Sequence, residues 1–186
     1  MNHIQIYDNI LSRESCNNII EYFNTNPNVG KAYTSDGLNE SIKKGKDLPI
    51  DLDACTETMQ SILTKSIVPC LNSGLEKYKK KFPFLEELMP WGIDPLFNIQ
   101  KFDGKEEGYF ETHCEAGGRG VSQRILVWMI YLNNAKCGTR FYYPTRDIHA
   151  KQGRLVIWPA AWTHPHSGIT PNKGEKYLMT GWYSFY

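Results

Sequence analysis

This 186-residue chain lacks any long hydrophobic stretch. Its longest unbroken apolar run is Ile125–Leu132, far short of the roughly 20 residues that a membrane-spanning helix needs. The N-terminus shows no basic segment leading into an apolar one, so no secretory signal is expected. An excess of one charge sign is also missing. Lys and Arg total 21 against 20 Asp and Glu, which predicts no strong field toward nucleic acid or anionic lipid. The basic cluster Lys77, Lys79, Lys80 and Lys81 therefore reads as the solvated face of a helix. The cysteines Cys16, Cys55, Cys70, Cys114 and Cys137 are odd in number, far apart and free of any CxxC pair. That excludes a Cys-rich structural zinc site and points to reduced thiols in a cytoplasmic protein. No internal repeat or low-complexity tract is visible.

What is there is a chain 41% apolar, enough for one core in one domain spanning 1–186. Residues 1–89 read as mainly helical. Ile4, Ile6 and Tyr7 suit a short lead-in strand. Ser12 is a good N-cap for a helix ending near Asn24, with Cys16, Ile19, Ile20 and Phe23 on its apolar face. Residues 26–51 are polar and Gly-rich, which predicts a flexible loop, with Lys31–Lys46 as a lid over a substrate. A second helix is expected over about 54–80, bent near Pro69. From residue 90 the texture changes to short β-rich runs at 96–102, 109–115, 125–132, 139–143, 154–158 and 177–186, punctuated by Gly, Asn and Pro. Such spacing predicts a β-sandwich or barrel with the helices packed outside it.

The chemistry begins at His113-Cys114-Glu115. If this is a strand, His113 and Glu115 face the same way and offer half of a metal site. Taken alone, a His-x-Glu is weak evidence. Farther on, Val156-Ile157-Trp158-Pro159 leads to His164-Pro165-His166, and Lys176 opens an aromatic strand. Two His and one carboxylate on one face of a metal leave positions open, the arrangement of non-haem Fe(II) oxygenases.

In this order of features the sequence resembles the Fe(II)/2-oxoglutarate dioxygenases, prolyl 4-hydroxylase-like branch. The resemblance rests on His113-x-Glu115, on Arg124 leading into Tyr131-Leu132-Asn133, and on Gly138-Thr139-x-Phe141. It continues through Gly153–Pro159, His164, and Gly174-x-Lys176 with Thr180 and Trp182. It implies a double-stranded β-helix, the cupin-type jelly roll, in a β-rich α+β chain. It also implies Fe(II), 2-oxoglutarate and O2, with ascorbate as a supporting reductant, and hydroxylation of a prolyl residue in a protein or peptide. A small-molecule or other side-chain target on the same fold is the alternative.

The sequence departs from that family in carrying Glu115 where most members have Asp, and Cys137-Gly138 in place of a Gly-Gly turn. Lys176 follows His164 by 12 residues and His166 by 10. The family spacing is nearer the second, whereas the Trp158-Pro159 lead-in selects His164. The expected metal ligands, and with them the catalytic centre, are therefore His113, Glu115 and His164, with His166 nearby. Lys176, Tyr131 and Thr180 are expected to hold the far carboxylate of 2-oxoglutarate, and Phe110, Trp128 and Trp182 to wall the pocket. Two other readings of the residues stay open: a four-ligand zinc site of His113, Glu115, His164 and His166, and a non-catalytic jelly-roll binding protein.

Overall fold

A computed structural model describes residues 2–34 and 37–186. In chain order the strands and helices are β1 (Gln5–Tyr7), α1 (Arg13–Thr25), β2 (Gly30–Lys31), β3 (Lys43–Lys44), β4 (Lys46–Asp51), α2 (Glu57–Ile62), α3 (Val68–Lys81), β5 (Trp91–Asp103) and β6 (Gly108–Tyr109). There follow β7 (Arg124–Tyr131), β8 (Gly138–Tyr142), β9 (Thr145–His149), β10 (Arg154–Pro159), β11 (His166–Ile169) and β12 (Glu175–Phe185).

Ser12 caps α1 as expected, its hydroxyl accepting from the Ser15 N–H at 3.0 Å and satisfying an otherwise orphaned donor. The second helical stretch is interrupted ahead of Pro69. Residues Leu63–Ile67 widen into a π-turn between α2 and α3, with the Val68 N–H reaching back to the Leu63 carbonyl. Proline has no N–H for the i→i−4 ladder, and a local widening accommodates that loss without ending the helix.

Seven strands form one sheet in the order β1-β10-β7-β12-β5-β4-β2, and three form a second sheet in the order β11-β8-β9. β3 and β6, far apart in sequence, form a separate two-stranded antiparallel sheet. Alternation along the strands sorts side chains between two cores. Outward from the large sheet, Trp128, Ile130, Leu155, Ile157 and Met179 pack on Ile19, Phe23, Met59, Ile67 and Leu71 of the helices. Inward, Val127, Met129, Tyr131, Val156, Trp158 and Leu178 meet Cys137, Phe141 and Ile148 of the small sheet. Burying each such side chain contributes about 1.5–3 kcal/mol. The result is a jelly roll braced on one face by helices, as the resemblance implies.

Two expectations change. Residues 26–51 are not a continuous flexible loop: β4 pairs along β5 from Lys46↔Lys101 to Asp51↔Leu96, and β2 pairs with β4. Leu48 and Ile50 are buried on the helix side of this strand, too few apolar residues for the sequence to announce it. Ser35 and Asp36, inside the expected lid, lie outside the described residues. The expected strand at 109–115 is also shorter. After β6, only an isolated antiparallel bridge, His113↔His166, continues it. Among the described residues, no helix is long and apolar enough to cross a membrane.

Candidate active site

Between the two sheets lies a cavity of about 1000 Å³, into which His113, Glu115 and His166 project. The His113↔His166 bridge is held by reciprocal backbone bonds, His113 N–H to His166 O at 3.0 Å and His166 N–H to His113 O at 2.9 Å. The pairing brings the two imidazoles together, ring centroids 4.4 Å apart. Glu115 follows in a turn whose N–H donates to Ala160 O at 3.1 Å. Its Oε1 sits 3.4 Å from His113 Nε2 and 3.3 Å from His166 Nε2. One donor atom from each of the three lies within 4.8 Å of the others.

Each histidine is held in one tautomer by the backbone. His113 Nδ1 is 3.0 Å from Glu111 O, and His166 Nδ1 is 3.0 Å from His164 O. A carbonyl can only accept, so Nδ1 carries a proton, and Nε2, the ring nitrogen facing Glu115, is the one left for a metal to take. Metal-binding histidines are oriented in this way. Tyr109 stacks on His113 at 3.8 Å and 13°. Trp158 and Phe141 pack against His166 at 5.1 and 5.4 Å. Burial disfavours charge on Glu115, but hydrogen bonding to His113 and His166 outweighs it and holds the carboxyl well below its usual pKa. Two imidazole nitrogens and one carboxylate oxygen suit a divalent iron with open positions.

His164 is not part of this group, which corrects the expected ligand set. It closes the turn that begins at Ala161, its N–H bonded to Ala161 O at 3.0 Å, and only after Pro165 does β11 begin. Its Nδ1 pairs with Thr163 Oγ1 at 2.8 Å, and its ring meets His3 edge-on at 6.1 Å. Burial lowers its pKa to about 4. The four-ligand zinc reading, which needed a strand running through both His164 and His166, fails at the same turn. The lysine spacing was the better guide than the Trp-Pro lead-in.

Deeper in the cavity, Lys176 is buried to 1% exposure on the inner face of β12. Its ammonium donates to the carbonyls of Gly138 and Ile169, both at 3.3 Å, and lies 4.9 Å over the Phe102 ring. Among the described residues no carboxylate pairs with it. Burial pushes its pKa down to about 8. A cation so placed calls for an anionic ligand. Thr180 also lines the cavity, with its hydroxyl 3.4 Å from Trp128 O.

Tyr131 departs from its expected role. Its hydroxyl is taken up by Thr139 Oγ1 at 2.8 Å and Ile148 O at 3.3 Å, and the ring lies behind the cavity wall. Thr139 is the hydroxyl that reaches the cavity. Of the expected aromatic wall only Trp182 lines it. Trp128 belongs to the helix-side core and Phe110 stands 41% exposed. Among the lining groups that sequence reasoning passed over are Ser167 and the buried ion pair Lys43–Asp47. Lys43 and Asp47 carried no signal, since each sat in a stretch that read as polar loop.

Residues 97–184 match the family model of the 2OG-Fe(II) oxygenase superfamily. Three solved structures resemble the chain throughout. A prolyl-4-hydroxylase from Pseudomonas putida aligns over 99% of this chain and 94% of its own, at 15% identity and a TM-score of 0.72. A prolyl hydroxylase from Trichoplax adhaerens, solved with a hypoxia inducible factor peptide fragment, aligns over 99% and 84%, at 16% identity and TM-score 0.74. A viral collagen prolyl hydroxylase from Paramecium Bursaria Chlorella virus-1, solved with 2OG, aligns over 100% and 97%, at 13% identity and TM-score 0.68. No curated protein matches the sequence significantly. The chain thus carries a 2OG-Fe(II) oxygenase match over residues 97–184 and shares the double-stranded β-helix fold of these prolyl hydroxylases. It is an oxidoreductase whose cofactor is Fe(II) and whose co-substrates are 2-oxoglutarate and O2.

Proposed function

We propose that the chain is a hydroxylase that holds Fe(II) through His113, Glu115 and His166, anchors 2-oxoglutarate at Lys176, and oxidises a prolyl residue in a protein or peptide. The observation that carries this reading is the pairing of a two-imidazole, one-carboxylate cluster with a buried, carboxylate-free lysine in one cavity. Bound Fe(II) supplies the redox chemistry that couples decarboxylation of 2-oxoglutarate to oxidation of the substrate.

The protein's own groups then have distinct tasks. The Lys176 ammonium neutralises the far carboxylate of 2-oxoglutarate, and Thr139 offers a hydroxyl lining the same cavity. Tyr131, bonded to Thr139, fixes the direction of that hydroxyl. Trp158 and Phe141 hold the His166 ring from behind, and Tyr109 covers His113, so the reacting end of the cavity is shielded from water.

Similarity to prolyl hydroxylases supports the choice of proline, and the resemblance to an enzyme solved with a peptide fragment supports a peptide. A second reading, oxidation of a polar small molecule, draws on the far side of the cavity, where Asn98, Gln100, Lys43 and Asp47 make a polar floor. Incubation with Fe(II), 2-oxoglutarate and ascorbate, followed by mass spectrometry, separates the two. Succinate together with one added oxygen on a proline-containing peptide is expected. Succinate formed only with small polar substrates would replace the prolyl assignment.

A further inference from the structure

Glu115 carries one methylene more than the aspartate usual in this family, and its second carboxylate oxygen is not idle. Oε1 faces the two imidazoles, whereas Oε2 accepts a hydrogen bond from the Trp182 indole N–H at 2.9 Å and lies 3.7 Å from Arg124 Nη1. Arg124 grips the same residue at its other end, donating from Nη1 to the Glu115 carbonyl at 3.3 Å. Its guanidinium lies over the Trp182 ring, 3.5 Å from the centroid.

These contacts come from rigid elements. Arg124 opens β7, and Trp182 sits on the adjacent β12, opposite Val127. Arg124 is itself held without surplus bonding, since its Nε is buried and has no hydrogen-bond partner. Its place is set by the indole beneath it and by Glu115.

We infer that Trp182 and Arg124 are positioning residues that clamp Glu115 Oε2, so that Oε1 alone is presented to the metal, and that the longer side chain of glutamate is what lets one carboxylate reach both the clamp and the histidine pair. This rests on the metal-site reading above. A carboxylate shortened by about 1.5 Å, the length of one carbon–carbon bond, can satisfy the indole or the imidazole pair but not both. Outer partners of this kind typically set metal affinity by about 10- to 100-fold.

The test is anaerobic calorimetric titration of the full chain with Fe(II), alongside thermal melting. Trp182→Phe keeps the ring under Arg124 but removes the N–H. It is expected to melt like the wild type and to bind Fe(II) about tenfold more weakly. Glu115→Asp is expected to weaken binding by a similar factor in the wild-type background. In a Trp182→Phe background it should weaken binding little further, because the hydrogen bond it sacrifices is already gone. Unchanged affinity in Trp182→Phe, or two losses that simply multiply, would overturn the clamp while leaving the three ligands in place. His166→Ala separates the two claims: if it binds Fe(II) like the wild type, the ligand set itself is wrong and the clamp falls with it.

Discussion

On the proposed reading, co-substrate binding turns on the buried ammonium of Lys176, which carries a pH signature. Its pKa is lowered to about 8 by burial, while Cys137, the titratable neighbour acting on it, is kept a neutral thiol by its own burial. Below about pH 8 the lysine is charged before 2-oxoglutarate arrives. Above it, binding must also take up a proton, so apparent affinity should fall as pH rises, by up to about tenfold per unit. Lys176→Met should raise the apparent KM for 2-oxoglutarate by about an order of magnitude or more, since breaking a buried charge pair costs about 3–5 kcal/mol. It should also remove the loss of affinity above pH 8. Initial rates of succinate formation across pH check both; a wild-type KM that stays flat from pH 7 to 10 would contradict the role. At this scale the sequence was informative where a residue's chemistry is rare in its setting. Lys176 at the head of an aromatic strand and Glu115 beside His113 are of that kind. It misled at His164, because whether a turn or a strand precedes Pro165 is decided by pairing with residues far away in the chain.

Among the elements, β8 has to lie close to its neighbour β9 for the lysine cradle to exist. A Cβ on Gly138 would stand 1.9 Å from the Ile148 carbonyl oxygen, a backbone atom that cannot move aside alone. The Gly138 carbonyl is also one of the two that receive Lys176. Gly138→Ala should therefore destabilise the fold by about 1–3 kcal/mol, the usual cost of overpacking, and weaken 2-oxoglutarate binding in the same variant. Denaturant unfolding and KM together check this; a variant as stable as the wild type would contradict it. Helix α1 and the core strands were legible because their apolar spacing is local and their caps are adjacent in sequence. Strands β4, β9 and β11 were not. Each buries two residues or fewer of an apolar kind and is stabilised by backbone pairing rather than by its own pattern: β4 with the distant β5, β11 with β8, and β9 with β8 across a tight turn. The polar stretch that suggested a lid thus supplies an edge of the large sheet.

For the molecule as a whole, the helices cover one face of the large sheet and leave the other to be shared with the small sheet, so the cavity opens between two walls built from distant parts of the chain. The proposed metal cluster spans that gap. His113 and Glu115 come from the segment between β6 and β7, and His166 from the first residue of β11. Bringing iron to the site therefore joins the small sheet to the long connection, and the identity of the third ligand is the claim on which the rest of the account depends. The most direct measurement is anaerobic absorption spectroscopy of the Fe(II) enzyme titrated with 2-oxoglutarate, following the charge-transfer band that chelation to the iron produces. The wild type and His164→Ala should develop the band, and His166→Ala should not. A band retained in His166→Ala and lost in His164→Ala would contradict the site described here.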